Sequence, residues 1–168
     1  MVVWITGLAG VGKSTIAAHL ADRLRSLDTS VVVFDGDDLR QVWGDVHGYS
    51  AEDREWLARS YGRLCRLVSS QGHVVICATI SLIHSIQDWN REHIQDYVEV
   101  YVRAPLSVCQ ARGRESLYLN QTAGPVVGRE IKEEEPKQPD VTLNNGSNTN
   151  VDELVDQLLQ FLQARESR

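Results

Sequence analysis

The sequence predicts an α/β fold, a five-stranded parallel sheet with helices on both faces and a lid. Three observations predict it. Short apolar, β-branched runs alternate with helix-periodic stretches along the chain, the pattern of parallel strands joined by crossover helices. The first run, Val2–Thr6, leads into a glycine-rich turn and then directly into an apolar-periodic segment. From Gly113 to Pro139 that periodicity fades and Arg, Glu, Gly and Pro accumulate, a stretch too long for an ordinary connector.

In order, Val2–Thr6 reads as the first strand and Thr15–Leu27 as a helix with Ile16, Leu20, Leu24 and Leu27 on one stripe. Val31–Phe34 is a continuous β-branched run, expected to be a strand buried on both faces. Leu39–Ser50 reads as irregular. Ser50-Ala-Glu-Asp53 resembles a capping box and opens a long helix to about Gln71, expected to bury Leu57, Leu64, Leu67 and Val68. His73–Cys77 is the third strand and Ser81–Ile94 a helix; Trp89 and Arg91 on it belong either to a functional surface or to a plain surface helix with one buried ring. Tyr97–Val102 is the fourth strand. Pro105 suits the first turn of a helix reaching about Arg112. Val141–Leu143 is a short fifth strand, and Val151–Ala164 closes the chain with Val151, Leu154, Val155, Leu158, Leu159 and Leu162 facing inward.

Length and composition narrow the class. At 168 residues the chain fits one domain, 1–168. No apolar run approaches membrane-spanning length and no signal peptide is evident, so a cytoplasmic protein is expected. Three scattered cysteines, Cys65, Cys77 and Cys109, argue for reduced thiols and against a disulfide frame or zinc site. The net charge of −6 argues against binding a nucleic acid polymer, which calls for a basic patch. A small anionic ligand in a local pocket fits that charge.

The turn after the first strand is Gly7-Leu-Ala-Gly-Val-Gly-Lys-Ser14, which matches G-x-x-x-x-G-K-[ST] at every fixed position and sits between strand and helix as that motif requires. Gly7, Gly10 and Gly12 permit left-handed angles and close approach of a ligand. Successive N–H groups, Val11 and Thr15 included, then form an anion-binding nest at a helix N-terminus. Lys13 can reach the β- and γ-phosphates of ATP, and the Ser14 hydroxyl can ligate Mg²⁺. The second strand ends in Asp35-Gly-Asp-Asp-Leu-Arg40, at the sheet edge where α/β proteins bind ligands. A kinase needs a carboxylate near the metal, a base near the acceptor hydroxyl and a cation for an anionic acceptor. Asp35, Asp37 and Arg40 supply those types in one turn.

These motifs resemble the adenylyl-sulfate (APS) kinases, over nearly the whole chain. Gly7–Thr15 is similar to their G-L-S-G-[AS]-G-K-S-T, and Asp35–Arg40 to their D-G-D-x-[VL]-R. Gly48-Tyr-Ser50 with Asp53-Arg54 resembles G-F-S-x-x-D-R, Ile80-Ser81 resembles the start of I-S-P, and Glu99–Val102, Pro105–Cys109 and Arg112 resemble E-V-[YF]-[VL] and P-L-x-[VT]-C-x-x-R-D. The resemblance implies a P-loop kinase fold and transfer of the γ-phosphoryl of ATP to a ribose 3′-hydroxyl. It implies Asp37 as the base and Tyr49 as the platform for the acceptor base. Arg40 and Arg54 would hold the acceptor's anionic end, Ile80 and Ser81 would line its site, and Arg112 would belong to the ATP lid. It also suggests a homodimer.

The departures are as informative. The family's Asn of D-R-x-E-N falls on Leu57, and the Pro of I-S-P on Leu82. The lid motif reads Arg112-Gly-Arg-Glu-Ser-Leu-Tyr118, and a second base-stacking aromatic has no match near Val127-Gly128. Trp89–Glu92, Tyr97–Val102 and Pro136-x-x-Pro-Asp140 followed by Asn144 resemble a divergent branch from bacterial polysaccharide loci, which includes kinases of cytidine diphosphoramidate. The acceptor is therefore open between adenylyl sulfate and cytidine diphosphoramidate. The alternatives are a kinase of an unrelated small alcohol and a non-catalytic nucleotide-binding regulator. Stacking plus two cations argues against the first. Against the second stand the retained Lys13 and Asp37 and the lack of an N-K-x-D guanine motif, to which Asn144-Asn145 is the nearest approach. Gly113–Pro139 reads either as a lid closing over phosphates or as a surface loop.

Overall fold

A computed structural model describes residues 1–44, 48–112, 127–128 and 131–166, the last without its side chain. The elements are β1 Val2–Thr6, α1 Lys13–Arg25, β2 Val31–Asp35, α2 Gly36–Trp43, α3 Ala51–Ser69 and β3 Val74–Thr79, followed by α4 His84–His93, β4 Tyr97–Arg103, α5 Leu106–Arg112, β5 Val141–Asn144 and α6 Val151–Glu166. All pairings are parallel, in the order β2-β3-β1-β4-β5, so β1 is central and the strand order reverses beside it. The glycine loop thus leaves the sheet at the crevice where open α/β folds place their ligands.

Alternation along the strands makes two cores. Val3 and Ile5 of β1 pack with Ile16 and Leu20 of α1 and with Val155 and Leu158 of α6 on one face. Val2 and Trp4 point to the other face, against Leu57, Tyr61 and Cys65 of α3 and Ile86 of α4. Each fully buried side chain of this size stabilises by ~1.5–3 kcal/mol, so α1 and α6 are locked under the loop and α3 and α4 beside it. The three cysteines are free and buried. Among the described residues no helix is long and apolar enough to cross a membrane.

Four expectations need correction. β2 is half-buried along its length, because it is a sheet edge with one neighbouring strand. Residues 39–43 of the stretch expected to be irregular belong to α2, Gly36–Trp43. Asp35 caps it by accepting from the Asp37 N–H, a helix too short and polar to show in apolar periodicity. Leu67 is 58% exposed, and α3 buries Ala58, Tyr61 and Cys65 along with Leu57. Leu27 is exposed beyond the end of α1, where Asp28 at φ 58 turns the chain. The capping box forms: the Ser50 hydroxyl accepts from the Asp53 N–H at 3.1 Å and donates to the Asp53 carboxylate at 2.6 Å.

Candidate active site

The carboxyl edge of the sheet opens into a cavity of about 790 Å³, lined by the loop, the β2–α2 turn, the start of α3 and the segment after β3. Left-handed glycines shape the loop, Gly10 at φ 75 and Gly12 at φ 97. Gly7 has a packing role as well, since a Cβ there would lie 2.2 Å from the Val102 carbonyl oxygen. α1 then starts at Lys13 and aims its N-terminus into the cavity, giving the site a fixed positive potential.

The Lys13 ammonium donates to the Leu8 carbonyl at 2.8 Å. Burial pulls its pKa down to about 8, against the upward pull of Asp35 and Asp37. The Ser14 hydroxyl donates to Asp35 Oδ2 at 2.5 Å while Asp35 Oδ1 accepts the Asp37 N–H at 2.9 Å. The cap of α2 therefore fixes the carboxylate against the first residues of α1. This pair of hard oxygens, a hydroxyl and a carboxylate beside an anion nest, is the donor set that suits Mg²⁺ shared with phosphates. Among the described residues no cluster of three or more His, Cys, Asp or Glu side chains forms a metal site of its own.

Arg40 also lines the cavity, its guanidinium 4.5 Å from the centre of the Tyr49 ring and donating to the Gly48 carbonyl at 2.8 Å. Arg54 lies 5.5 Å from the same ring and donates to the Tyr49 carbonyl at 3.0 Å. Burial and the like charge of Arg40 lower the Arg54 pKa. An anion bound between two such cations relieves their repulsion. Ile80, Ser81, Leu57 and Leu82 complete the wall, Leu57 at 2% exposure and Leu82 at 3%. Thr79 and Ser81 hydroxyls bond each other at 2.9 Å.

Of the residues singled out from sequence, Gly10, Gly12, Lys13, Ser14, Thr15, Asp35, Asp37, Arg40, Tyr49, Arg54, Ile80, Ser81 and Arg112 all line this cavity. Gly7 and Val11 do not. The Val11 side chain is in the core and its N–H donates to Leu8 within the loop at 3.3 Å. The Arg112 guanidinium donates to the Asn145 carbonyl at 3.1 Å and to that of Gly146. Neither Trp89 nor Arg91 lines the cavity: Trp89 is half-buried and stacks on His93 at 4.5 Å, and Arg91 pairs with Glu99 and Asp140. Residues 113–126 and 129–130 of the expected lid lie outside the described residues. The described remainder reaches the site: Val127, Ile131, Lys132 and Glu134 line the cavity, and Glu134 accepts the His84 N–H at the start of α4 at 2.6 Å. Sequence reasoning missed Glu134, Lys132, Tyr61 and Asn145. A carboxylate capping a helix 50 residues away leaves no local signal.

The fold and this cavity define a P-loop phosphotransferase. A family model for adenylylsulphate kinase matches residues 1–144, and the chain belongs to that family of ATP-dependent nucleotide kinases. It is 32% identical over 164 residues to a cytidine diphosphoramidate kinase of Campylobacter jejuni, covering 96% of this chain and 95% of that one. It is 38% identical over 169 residues to an adenylyl-sulfate kinase of Vibrio cholerae, covering 98% and 78%. Among solved structures, the APS kinase of Mycobacterium tuberculosis in complex with AMPPNP and APS superimposes with a TM-score of 0.87 at 30% identity, covering 96% of both chains.

Proposed function

We propose that this chain, as one kinase unit over 1–168, moves the γ-phosphoryl of ATP to the ribose 3′-hydroxyl of a small nucleotide with an anionic substituent. Cytidine diphosphoramidate is the favoured acceptor and adenylyl sulfate the other. The observation that carries the reading is the set of charges gathered in one cavity: the loop with Lys13, the carboxylates Asp35 and Asp37, and the Arg40–Tyr49–Arg54 group. The loop glycines and Thr15 cradle the phosphates, Lys13 neutralises their charge, and Arg112, held on the Asn145 and Gly146 carbonyls, faces ATP from the cavity wall. Ser14 and Asp35 would hold Mg²⁺, which spreads the charge of the β- and γ-phosphates. Asp37 takes the 3′-hydroxyl proton as that oxygen bonds to the γ-phosphorus. The bond to the β,γ-bridging oxygen breaks, and ADP leaves with its electron pair.

Tyr49, 44% exposed, offers ring area to the acceptor base, and Arg40 and Arg54 face its anionic end. A neutral alcohol needs neither. The apolar wall of Leu57 and Leu82 supports an acceptor other than the one the family's Asn serves. Residues 113–139 are read as the lid. The three reduced thiols support a cytoplasmic setting, and the resemblance a homodimer, which sedimentation distinguishes from higher assemblies.

The test is ATP consumption with cytidine diphosphoramidate, adenylyl sulfate and simple alcohols offered separately. Turnover is expected with the first and less with the second. Efficient use of adenylyl sulfate alone would reverse that order. Turnover of an alcohol and neither nucleotide would overturn the acceptor reading.

A further inference from the structure

Asn145, at the start of the turn between β5 and α6, is 3% exposed, and its place is built from several sides. Its backbone N–H donates to the Arg103 carbonyl at 2.8 Å, which anchors it to the end of β4. Its side-chain Nδ2 donates to the Val11 carbonyl at 2.9 Å, across 134 residues of sequence. A Cβ on Gly12 would lie 2.6 Å from that Nδ2, so the amide fills the space that only a glycine leaves. Its own carbonyl accepts Arg112 at 3.1 Å. Its Oδ1 is buried and has no hydrogen-bond partner among the described residues. Burying an unpaired acceptor costs free energy, so what the amide does through Nδ2 must outweigh that cost.

A trans peptide points its C=O and N–H in opposite directions. Holding the Val11 carbonyl against Asn145 therefore turns the Gly12 N–H the other way. Gly12 lines the cavity, and its left-handed backbone would otherwise be among the freest in the chain. We propose that Asn145 is a positioning residue for the phosphate loop: it sets the Val11–Gly12 peptide so that the Gly12 N–H faces the donor's phosphates, while its carbonyl keeps Arg112 beside them. Asn145 touches no reacting atom. The inference rests on the reading that the loop binds the phosphates of ATP.

The test uses Asn145→Asp, which keeps the shape and replaces the donor with an acceptor facing the Val11 carbonyl. ADP affinity is compared with wild type at each pH from 7.5 to 5.5, so that titration of ADP itself cancels in the ratio. At pH 7.5 the variant should bind ADP about tenfold more weakly. The deficit should shrink as pH falls, because a protonated carboxyl again donates to Val11. The acceptor KM should stay within about twofold at every pH, as the acceptor end lies apart from this contact. A purely structural role predicts a deficit that does not recover with acid, and that result, or wild-type affinity at pH 7.5, overturns the proposal. If circular dichroism shows Asn145→Asp unfolded, Asn145→Ala carries the test: about fivefold weaker ADP binding with unchanged acceptor KM is expected, and unchanged ADP affinity overturns it. Wild-type protein that binds no ADP would instead overturn the phosphate-loop reading, and this inference with it.

Discussion

Lys13 and Asp37 show how much of this site is decided by what surrounds one side chain. Lys13 has an ordinary pKa of 10.5, lowered to about 8 by burial. Between those values the unfolded chain keeps a proton that the folded chain has lost, so Lys13 makes stability rise with pH across that window. Below about pH 8 the cost of burying its charge is fully present. Phosphates restore the charge, so nucleotide binding should take up a proton above pH 8, and affinity should fall as pH rises, by at most about tenfold per unit. Titration calorimetry of ADP at pH 8.5 in buffers of differing protonation enthalpy measures that uptake, and Lys13→Met should abolish it; zero uptake by the wild type would sink the idea. On the proposal that Asp37 is the base, Asp37→Asn keeps the shape and removes it. Its kcat should fall ~10²–10⁴-fold with ADP affinity little changed. A variant that loses nucleotide binding and keeps kcat would move the base role to Asp35.

The elements hold these residues through a few close contacts. α3 and α4 meet where Gly62 passes Asn90: a Cβ on Gly62 would lie 2.3 Å from Asn90 Oδ1 and 3.3 Å from the Trp89 ring. Asn90 is fully buried on a helix, so it has little room to move aside. Gly62→Ala should therefore push the helices apart and destabilise by ~1–3 kcal/mol, the usual range for overpacking. For a chain of this size that lowers Tm by roughly 2–4 °C per kcal/mol. An unchanged or raised Tm would mean the pair repacks freely, since Ala is otherwise the better helix former. Glu134 accepts the His84 N–H at the first turn of the same α4, so this packing also sets where the segment after residue 130 meets the cavity.

Across the whole molecule, the amino-terminal side of the sheet is tied by an ionic network remote from the catalytic edge. Glu99 on β4 is 2% exposed and pairs with Arg91 of α4 at 3.1 Å; Arg91 reaches Asp140 at 3.4 Å, and Arg165 of α6 reaches Asp140 at 3.7 Å. Burial raises the Glu99 pKa, with Arg91 opposing it. A raised carboxyl pKa means the folded state holds its proton longer, so stability falls as pH rises from 4.5 through the folded value. Arg91→Met removes the opposing charge and should deepen that fall: the denaturant midpoint should drop more at pH 7 than at pH 4.5. Adding Glu99→Gln should recover much of the loss. Equal midpoints for Arg91→Met and wild type at pH 7 would show that the pair contributes nothing. At the opposite edge, the lid reading predicts that an ATP analogue plus acceptor slows amide exchange across 113–139, since closure excludes water from the phosphates. Identical exchange with and without ligands would leave that stretch a surface loop.

The sequence by itself determined the alternation of strands and helices, the phosphate loop and the acidic turn at Asp35–Arg40. Those features are encoded within a few residues: glycine spacing sets the loop angles, and period-2 or period-3.6 patterning sets each element. It also carried the Ser50 cap, a reciprocal contact three residues apart. Tertiary structure alone decided that β2 is an edge and β1 the centre, because strand order depends on crossovers and not on any strand's own residues. It decided that α2 is a helix, whose eight residues owe their start to one Asp35 side chain and their burial to Leu39. And it decided which distant residues serve the loop and the cavity, Asn145 on the Val11 carbonyl and Glu134 on the His84 N–H. Such partners are separated by 134 and 50 residues, and only the packed sheet brings their donors and acceptors within reach.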